Sequence, residues 1–276
     1  VLNSRHASLN IQVNPVSAEP NTARPMRFLL YNIRYAAGTG PGFNLPVPGA
    51  GYLRSNRENL FNIRQFIKSM DPDIVGLIEV DTGSIRTGMA NQAEIIAGHL
   101  GHYTIYESKY GEESLNNRLP IVRKQGNAFL AAPRIHGERF HYFETGIKRL
   151  IIELELEDVA IFLVHLSLKY RHRQSQLRRL HELVAATDKP VIVAGDFNTF
   201  WGEDELYLFM EASGMRSANV EKLPSYPSQS PRKELDFILY GSGVEIVDFQ
   251  IPRVCYSDHL PLVCDFRISG CAERAA

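Results

Sequence analysis

The chain has 276 residues, with 30 Lys+Arg against 31 Asp+Glu, a formal net charge of -1 at pH 7, 44% hydrophobic and 22% charged residues. This balance excludes a disordered, collagen-like or disulfide-stapled chain and a protein that is basic over its whole surface. It does not exclude a protein that acts on nucleic acid, because a local basic strip and a metal can supply the charge, and it leaves function open.

Residues 1–25 are polar and Pro/Ser/Asn-rich, without an apolar signal-like run. They read as a leader or linker ahead of one domain over 26–268, with 269–276 as a tail. Residues 26–31 (MRFLLY) predict a first core strand, and the Gly/Pro-rich residues 36–53 a long loop. Leu60, Ile63, Ile67 and Met70 predict an amphipathic helix over 56–70, which Asp71-Pro72-Asp73 ends before a strand over 74–80. A helix over 91–100 and strands over 103–108, 126–131, 140–143, 150–156 and 159–166 follow. In the fourth of these five strands, Leu150, Ile152, Leu154 and Leu156 alternate with Glu153, Glu155 and Glu157, predicting one buried and one wet face. A basic helix over 174–186, a strand over 189–194, a helix over 203–212 and strands over 235–240, 244–251 and 262–266 complete the chain. About ten strands with four interleaved helices fit two packed sheets carrying helices on their outer faces.

Cys255, Cys264 and Cys271 all lie in the last 22 residues, with neither CxxC spacing nor a Cys/His cluster, so no zinc site is expected, and free buried thiols are favoured over one Cys255–Cys264 or Cys264–Cys271 bridge. The apolar runs 161–164 and 190–194 fall far short of the roughly 20 residues of a membrane helix. The expectation is a monomer without a membrane span, cytoplasmic, with export left open.

Polar residues gather at the ends of the apolar strands: Asn32 after MRFLLY, Glu79 near the end of IVGLI, His165 closing AIFLV, and Asp196 and Asn198 after VIVAG. Asp236 sits inside LDF, and Asp258-His259 precedes LPLVCDF. Each alone fits a cap or turn, but strand ends converge at a sheet rim, where several buried carboxylates repel one another without cations. An oxygen-rich set with two histidines favours Mg²⁺, with Mn²⁺ as substitute, over zinc. Glu79 is the leading metal-ligand candidate.

The stretches LLYNIR (29–34), DIVGLIEVD (73–81), GNAFL (126–130), VHLSL (164–168), VIVAGDFNTF (191–200), LDFILY (235–240) and YSDHLPLVCDF (256–266) together resemble the endonuclease/exonuclease/phosphatase superfamily of metal-dependent phosphoesterases. SYPSQSPRKELDF (225–237) resembles small bacterial members. The resemblance implies an α/β fold: a DNase I-like four-layer α/β sandwich, two mixed β-sheets flanked by helices. It also implies in-line attack of water on a phosphate ester. Position by position, it implies Glu79 as principal metal ligand, with Asn32, Asp236 and Asp258 as further metal contacts. Asn32 would orient the metal-binding carboxylate, His165 contact a phosphate oxygen, Asp196 position or deprotonate the attacking water, and Asn198 steady the phosphate. Asp258 would orient His259 and favour its protonated form. Tyr103, Tyr106 and Tyr110 lie where abasic-site enzymes carry a catalytic tyrosine, without a secure match.

From His165 to His181 the chain carries Lys169, Arg171, Arg173, Arg178 and Arg179 and no acid. This strip reads either as a solvated helix face or as a phosphate grip by Lys169, Arg171 and Arg173, joined by Arg232 and Lys233. Tyr170, Phe197, Trp201 and Tyr226 offer a base or sugar platform, or belong to the core. The loop over 38–52 either closes over substrate or is a surface insertion. Three readings follow: a DNA or RNA endo- or exonuclease, an esterase for small sugar, inositol or lipid-headgroup phosphates, and an inactive interaction module.

Overall fold

The computed structural model describes residues 24–39, 57–108, 124–146 and 148–269. The predicted loop at 40–53, Tyr110, Cys271 and the leader up to residue 23 lie outside them. One sheet has the strand order β11-β12-β1-β2-β4-β3 and the other β5-β6-β7-β8-β10-β9. In the first, β1 (Met26–Asn32) runs parallel to β2 (Ile74–Asp81), while β12 (Leu262–Ile268), β4 (Gln125–Ala131), β3 (Tyr103–Ser108) and β11 (Val244–Gln250) pair antiparallel. In the second, β7 (Ala160–His165) is parallel to β8 (Val191–Asp196). β5 (Gly137–Tyr142), β6 (Leu150–Glu155), β10 (Asp236–Tyr240) and the two-residue β9 (Arg216–Ser217) are antiparallel.

The side-chain alternation of the strands builds three cores. Phe28 and Leu30 of β1 face Leu163 of β7 and Ile192 of β8 in the core between the sheets. Leu29 and Tyr31, on the opposite face of β1, pack with Ile63 and Ile67 of α1 (Arg57–Ser69) and Ile96 of α2 (Gln92–Leu100). On the far side, Phe162, Val193 and Phe237 meet Leu177 and Leu180 of α3 (Tyr170–Ala185) and Phe209 of α4 (Tyr207–Ser213). The result is the expected four-layer order: helices, sheet, sheet, helices. Its central strands are buried on both faces, which is why they read as nearly continuous apolar runs.

Two expectations change. The face of β6 predicted to be wet is covered: Ile151 joins the core under α3, and Glu153 is buried between Arg139 and His141, with His141 Nε2 2.7 Å from Glu153 Oε2. The glutamates of the alternating pattern therefore reported pairing with β5 as well as solvent. Helix α3 starts at Tyr170, four residues earlier than predicted. Its first turn, Tyr-Arg-His-Arg, holds no acid, and Lys169 gives no side-chain cap, so the usual start signals are missing. Cys255 and Cys264 are free thiols. Among the described residues, no helix is long and apolar enough to cross a membrane.

Candidate active site

The register of the second sheet sets His165, Asp196 and Asp236 side by side, since His165 pairs with Asp196 and Asp196 with Asp236. The close approach of β7 and β8 requires Gly195, because a Cβ there would lie 2.0 Å from Val164 O. In the first sheet, Asn32 ends β1 opposite Ile78, one residue before Glu79. Glu79 falls where the β2–β4 register shifts between Leu77 and Val80, with φ +57°. Such a bulge re-aims a side chain, and a positive φ at a glutamate is backbone strain held by its surroundings.

Asp196 is the hub. Its Oδ2 accepts from Asn32 Nδ2 at 3.1 Å and lies 3.2 Å from His165 Nε2 and 3.9 Å from His259 Nε2; its Oδ1 accepts from Asn198 N at 3.0 Å. Burial works to raise the Asp196 carboxyl, but the His165 hydrogen bond and the His259 charge outweigh it and hold it well below the usual range. His259 Nδ1 donates to Asp236 Oδ2 at 2.7 Å, and Ser225 Oγ donates to the same oxygen at 2.6 Å. Burial would lower the His259 imidazole, yet Asp236 and Asp196 raise its pKa to about 10, so it stays charged. The Tyr226 ring lies 4.9 Å from the His259 ring, where an aromatic face favours a cation. His165 goes the other way: burial and then Lys148 push it down to about 4 against the pull of Asp196, leaving it neutral. Two histidines beside one carboxylate thus hold different charge.

Lys148, absent from the sequence expectations, contacts His165 Nε2 and stands 4.0 Å from Glu79 Oε1. Gln176 of α3 sets its place by donating to Thr145 O and Lys148 O while accepting from Ser167 N. Nothing in the local sequence GIKRL marks Lys148, because its position depends on a partner 28 residues away.

Several expected roles are corrected. The carboxylate bonded to His259 is Asp236, not Asp258; Asp258 faces Arg34 Nη1 at 3.4 Å and accepts from Ser257 Oγ at 3.2 Å. Asn32 fits its orienting role more than that of a metal ligand, because its Oδ1 accepts from Arg34 N at 3.1 Å while its Nδ2 serves Asp196. Asn198 donates one Nδ2 proton to Leu166 O at 2.9 Å, bracing the two segments that follow β7 and β8. Arg173 is no phosphate grip. It is 1% exposed, donates to Ser167 O and Leu168 O, and pairs with Glu205. Lys169, Arg171 and Arg232 are exposed, as the strip reading requires. Phe197 is core, and Tyr103 and Tyr106 sit on the edge strand β3, Tyr106 bonded to Glu94.

Asp196, Asp236 and His259 bring donor atoms within 4.8 Å of one another, a cluster able to hold a metal ion. The chemistry of the surroundings fits a divalent ion on the carboxylate side. Asp236 Oδ1 is buried without a hydrogen-bond partner, as are Asn127 Nδ2 and His165 Nδ1, and buried polar atoms are ordinarily satisfied. His259 in its charged form offers no lone pair, so oxygen donors are the ones available.

Comparison with known proteins agrees with this fold. The UPF0294 protein YE0917 of Yersinia enterocolitica is 29% identical over 153 residues, 55% of this chain and 53% of that protein. The uncharacterized protein YbhP of Escherichia coli K12 is 28% identical over 129 residues, 44% of this chain and 51% of that protein. The chain thus spans about half the length of these curated relatives. Among solved structures, an endonuclease/exonuclease/phosphatase from Beutenbergia cavernae superposes with a TM-score of 0.66 at 18% identity, covering 90% of this chain and 72% of that one. The human Nocturnin catalytic domain with bound sulfate gives 0.63 at 19% identity (89% and 94%), and a Bacteroides thetaiotaomicron mannosyl-6-phosphatase 0.64 at 15% (88% and 100%). The profile of the endonuclease/exonuclease/phosphatase family matches residues 9–259. The chain, with its paired mixed sheets and the Asp196–Asp236–His259 cluster at their rim, belongs to that family.

Proposed function

We propose that the protein is a divalent-metal-dependent phosphoesterase that hydrolyses phosphodiester bonds of nucleic acid by in-line attack of water. The observation that supports it most is geometric: Asp196, Asp236 and His259 bring donor atoms within 4.8 Å of one another, with His259 Nδ1 2.7 Å from Asp236 Oδ2. Glu79, Asp196 and Asp236 are the oxygen donors that would hold Mg²⁺ or Mn²⁺. When bound, such an ion polarises a phosphoryl oxygen and offsets its negative charge.

The residues of the chain account for the remaining work. Asp196, kept ionised, orients the attacking water by accepting a hydrogen bond and takes its proton as the new P–O bond forms and the bond to the leaving oxygen breaks. Asn32 and the Asn198 N–H fix that carboxylate. His259, oriented by Asp236, donates a hydrogen bond to a phosphoryl oxygen as charge grows there. The Lys148 ammonium, held against His165 Nε2 and 4.0 Å from Glu79 Oε1, places a fixed cation beside the phosphate, and His165 positions both Lys148 and Asp196. The exposed Lys169, Arg171 and Arg232 contact neighbouring phosphates, which position a strand without reading its bases.

A hydrolysis panel with Mg²⁺ tests the reading, comparing single-stranded DNA, RNA, plasmid DNA, bis-p-nitrophenyl phosphate and sugar or inositol phosphates. The expected result is turnover of diesters, with the nucleic acids preferred. Exclusive turnover of the small monoesters contradicts the nucleic-acid assignment, and no turnover of any substrate contradicts the enzyme itself.

A further inference from the structure

Leu168, Tyr170, Phe200 and Trp201 are large apolar side chains left 59%, 52%, 37% and 74% exposed. They occupy the two short segments that leave the site, the first just after His165 and the second just after Asn198. Trp201 follows Asn198 by three residues, at most about 11 Å of backbone. The two segments meet: the Tyr170 and Trp201 rings stand edge to face, 6.5 Å apart at 77°.

The buried Arg173 holds both segments. Its Nη1 donates to Ser167 O at 2.9 Å and Leu168 O at 3.1 Å, and its guanidinium pairs with Glu205 Oε2. Glu205 Oε1 in turn accepts from Trp201 N at 3.1 Å. One ion pair therefore fixes the backbone beneath an apolar rim, so the exposed rings sit on an ordered base.

The charge around the rim is mostly positive. Lys169 and Arg171 flank Tyr170 in sequence and are exposed, as are Arg232 and Lys233, and Lys233 Nζ lies 5.1 Å over the Phe200 ring and donates to Phe200 O. Of the nearby acids, Glu205 is committed to Arg173 and Glu203 lies 2.7 Å from Lys222, leaving Asp204 exposed. Rings beside cations, next to a phosphoester site, match a ligand that alternates flat faces with phosphates.

We propose that Leu168, Tyr170, Phe200 and Trp201 form a stacking platform for an unpaired nucleobase next to the scissile phosphate, so that the substrate is single-stranded nucleic acid. The proposal rests on the phosphodiesterase reading above and narrows it. A paired base in a duplex has no free face to offer such a surface, whereas a single strand stacks without sequence preference and gains from neighbouring cations.

Trp201 is the only tryptophan in the chain, so its fluorescence reports on this rim alone. With EDTA present to prevent cleavage, the full chain is titrated with short oligodeoxythymidylate, with a short duplex, and with phosphatidylcholine/phosphatidylserine vesicles. Saturable quenching by the single strand, much weaker quenching by the duplex, and no blue shift with vesicles are expected. By anisotropy of a dye-labelled strand, Trp201→Ala should bind about tenfold or more weakly, with Trp201→Phe recovering most of the loss. Absent quenching, or unchanged affinity in Trp201→Ala, overturns the platform. A blue shift with vesicles and none of the strand effect overturns it in favour of a membrane-facing rim. Mg²⁺-dependent hydrolysis of bis-p-nitrophenyl phosphate by the unaltered chain is measured alongside. Hydrolysis without the fluorescence response refutes the platform only, whereas no hydrolysis refutes the phosphoesterase reading beneath it.

Discussion

Asp236 and Asp258 both lie near His259, and geometry separates their tasks. Asp236 accepts a hydrogen bond from His259 Nδ1 at 2.7 Å, whereas Asp258 pairs with Arg34. In the metal-free protein, Asp236→Asn should therefore lower the His259 pKa markedly in a histidine NMR titration, while Asp258→Asn should shift it much less. Equal shifts would return the orienting role to both. The sign of the pH dependence follows from the direction of the shift. The His259 pKa is raised from 6.5 to about 10, so its contribution to stability is complete below about 6.5 and is lost as pH rises through about 10. His165 is lowered to about 4, so its contribution is complete above about 6.5 and is lost as pH falls through about 4. The same titration should show His259 charged and His165 neutral at pH 7. Matching charge states would contradict the electrostatic picture of the site.

Elements carry these residues, and each depends on contacts that are long in sequence. The Arg173–Glu205 pair joins α3 to the turn after β8 and is 1% and 5% exposed. Breaking a buried pair by removing one partner costs about 3–5 kcal/mol, so Arg173→Ala should lower the melting temperature clearly in a thermal scan. A variant with unchanged stability and a flattened salt dependence of nucleic-acid binding would restore Arg173 to the phosphate grip. Gly195→Ala forces a Cβ toward Val164 O and should destabilise the β7–β8 pair by about 3 kcal/mol or more, read by urea denaturation. This scale also shows what a sequence can carry. Strands such as 103–108 were legible because their apolar pattern is local, and Asp196, His165 and His259 because each ends or precedes such a strand. Lys148, Arg34 and Asn127 were not, since the Gln176 bracket, a left-handed turn and a bulge, in that order, bring them in. Arg173 misled for the same reason: its place in a basic run gives no hint of Glu205.

For the whole molecule, the near-neutral charge describes a sum of opposed regions. Asp196 and Asp236 sit together with His259 in one buried cluster, while Lys169, Arg171, Arg232 and Lys233 are exposed. This layout makes two demands that solution measurements can separate. Nucleic-acid affinity should fall as salt rises, because released counterions follow each phosphate contact, and Lys169→Ala with Arg171→Ala should flatten that slope. The chemistry should depend on a cation among Glu79, Asp196 and Asp236, and Glu79→Gln should weaken Mg²⁺ binding by calorimetry while cutting turnover by about two orders of magnitude or more. Unaltered Mg²⁺ affinity in that variant would remove Glu79 from the metal site. The most direct measurement is hydrolysis of bis-p-nitrophenyl phosphate by the metal-stripped protein before and after Mg²⁺ is returned. The account predicts no turnover in EDTA and full recovery with Mg²⁺ or Mn²⁺. Undiminished turnover in excess EDTA, or none with the metal restored, would contradict it.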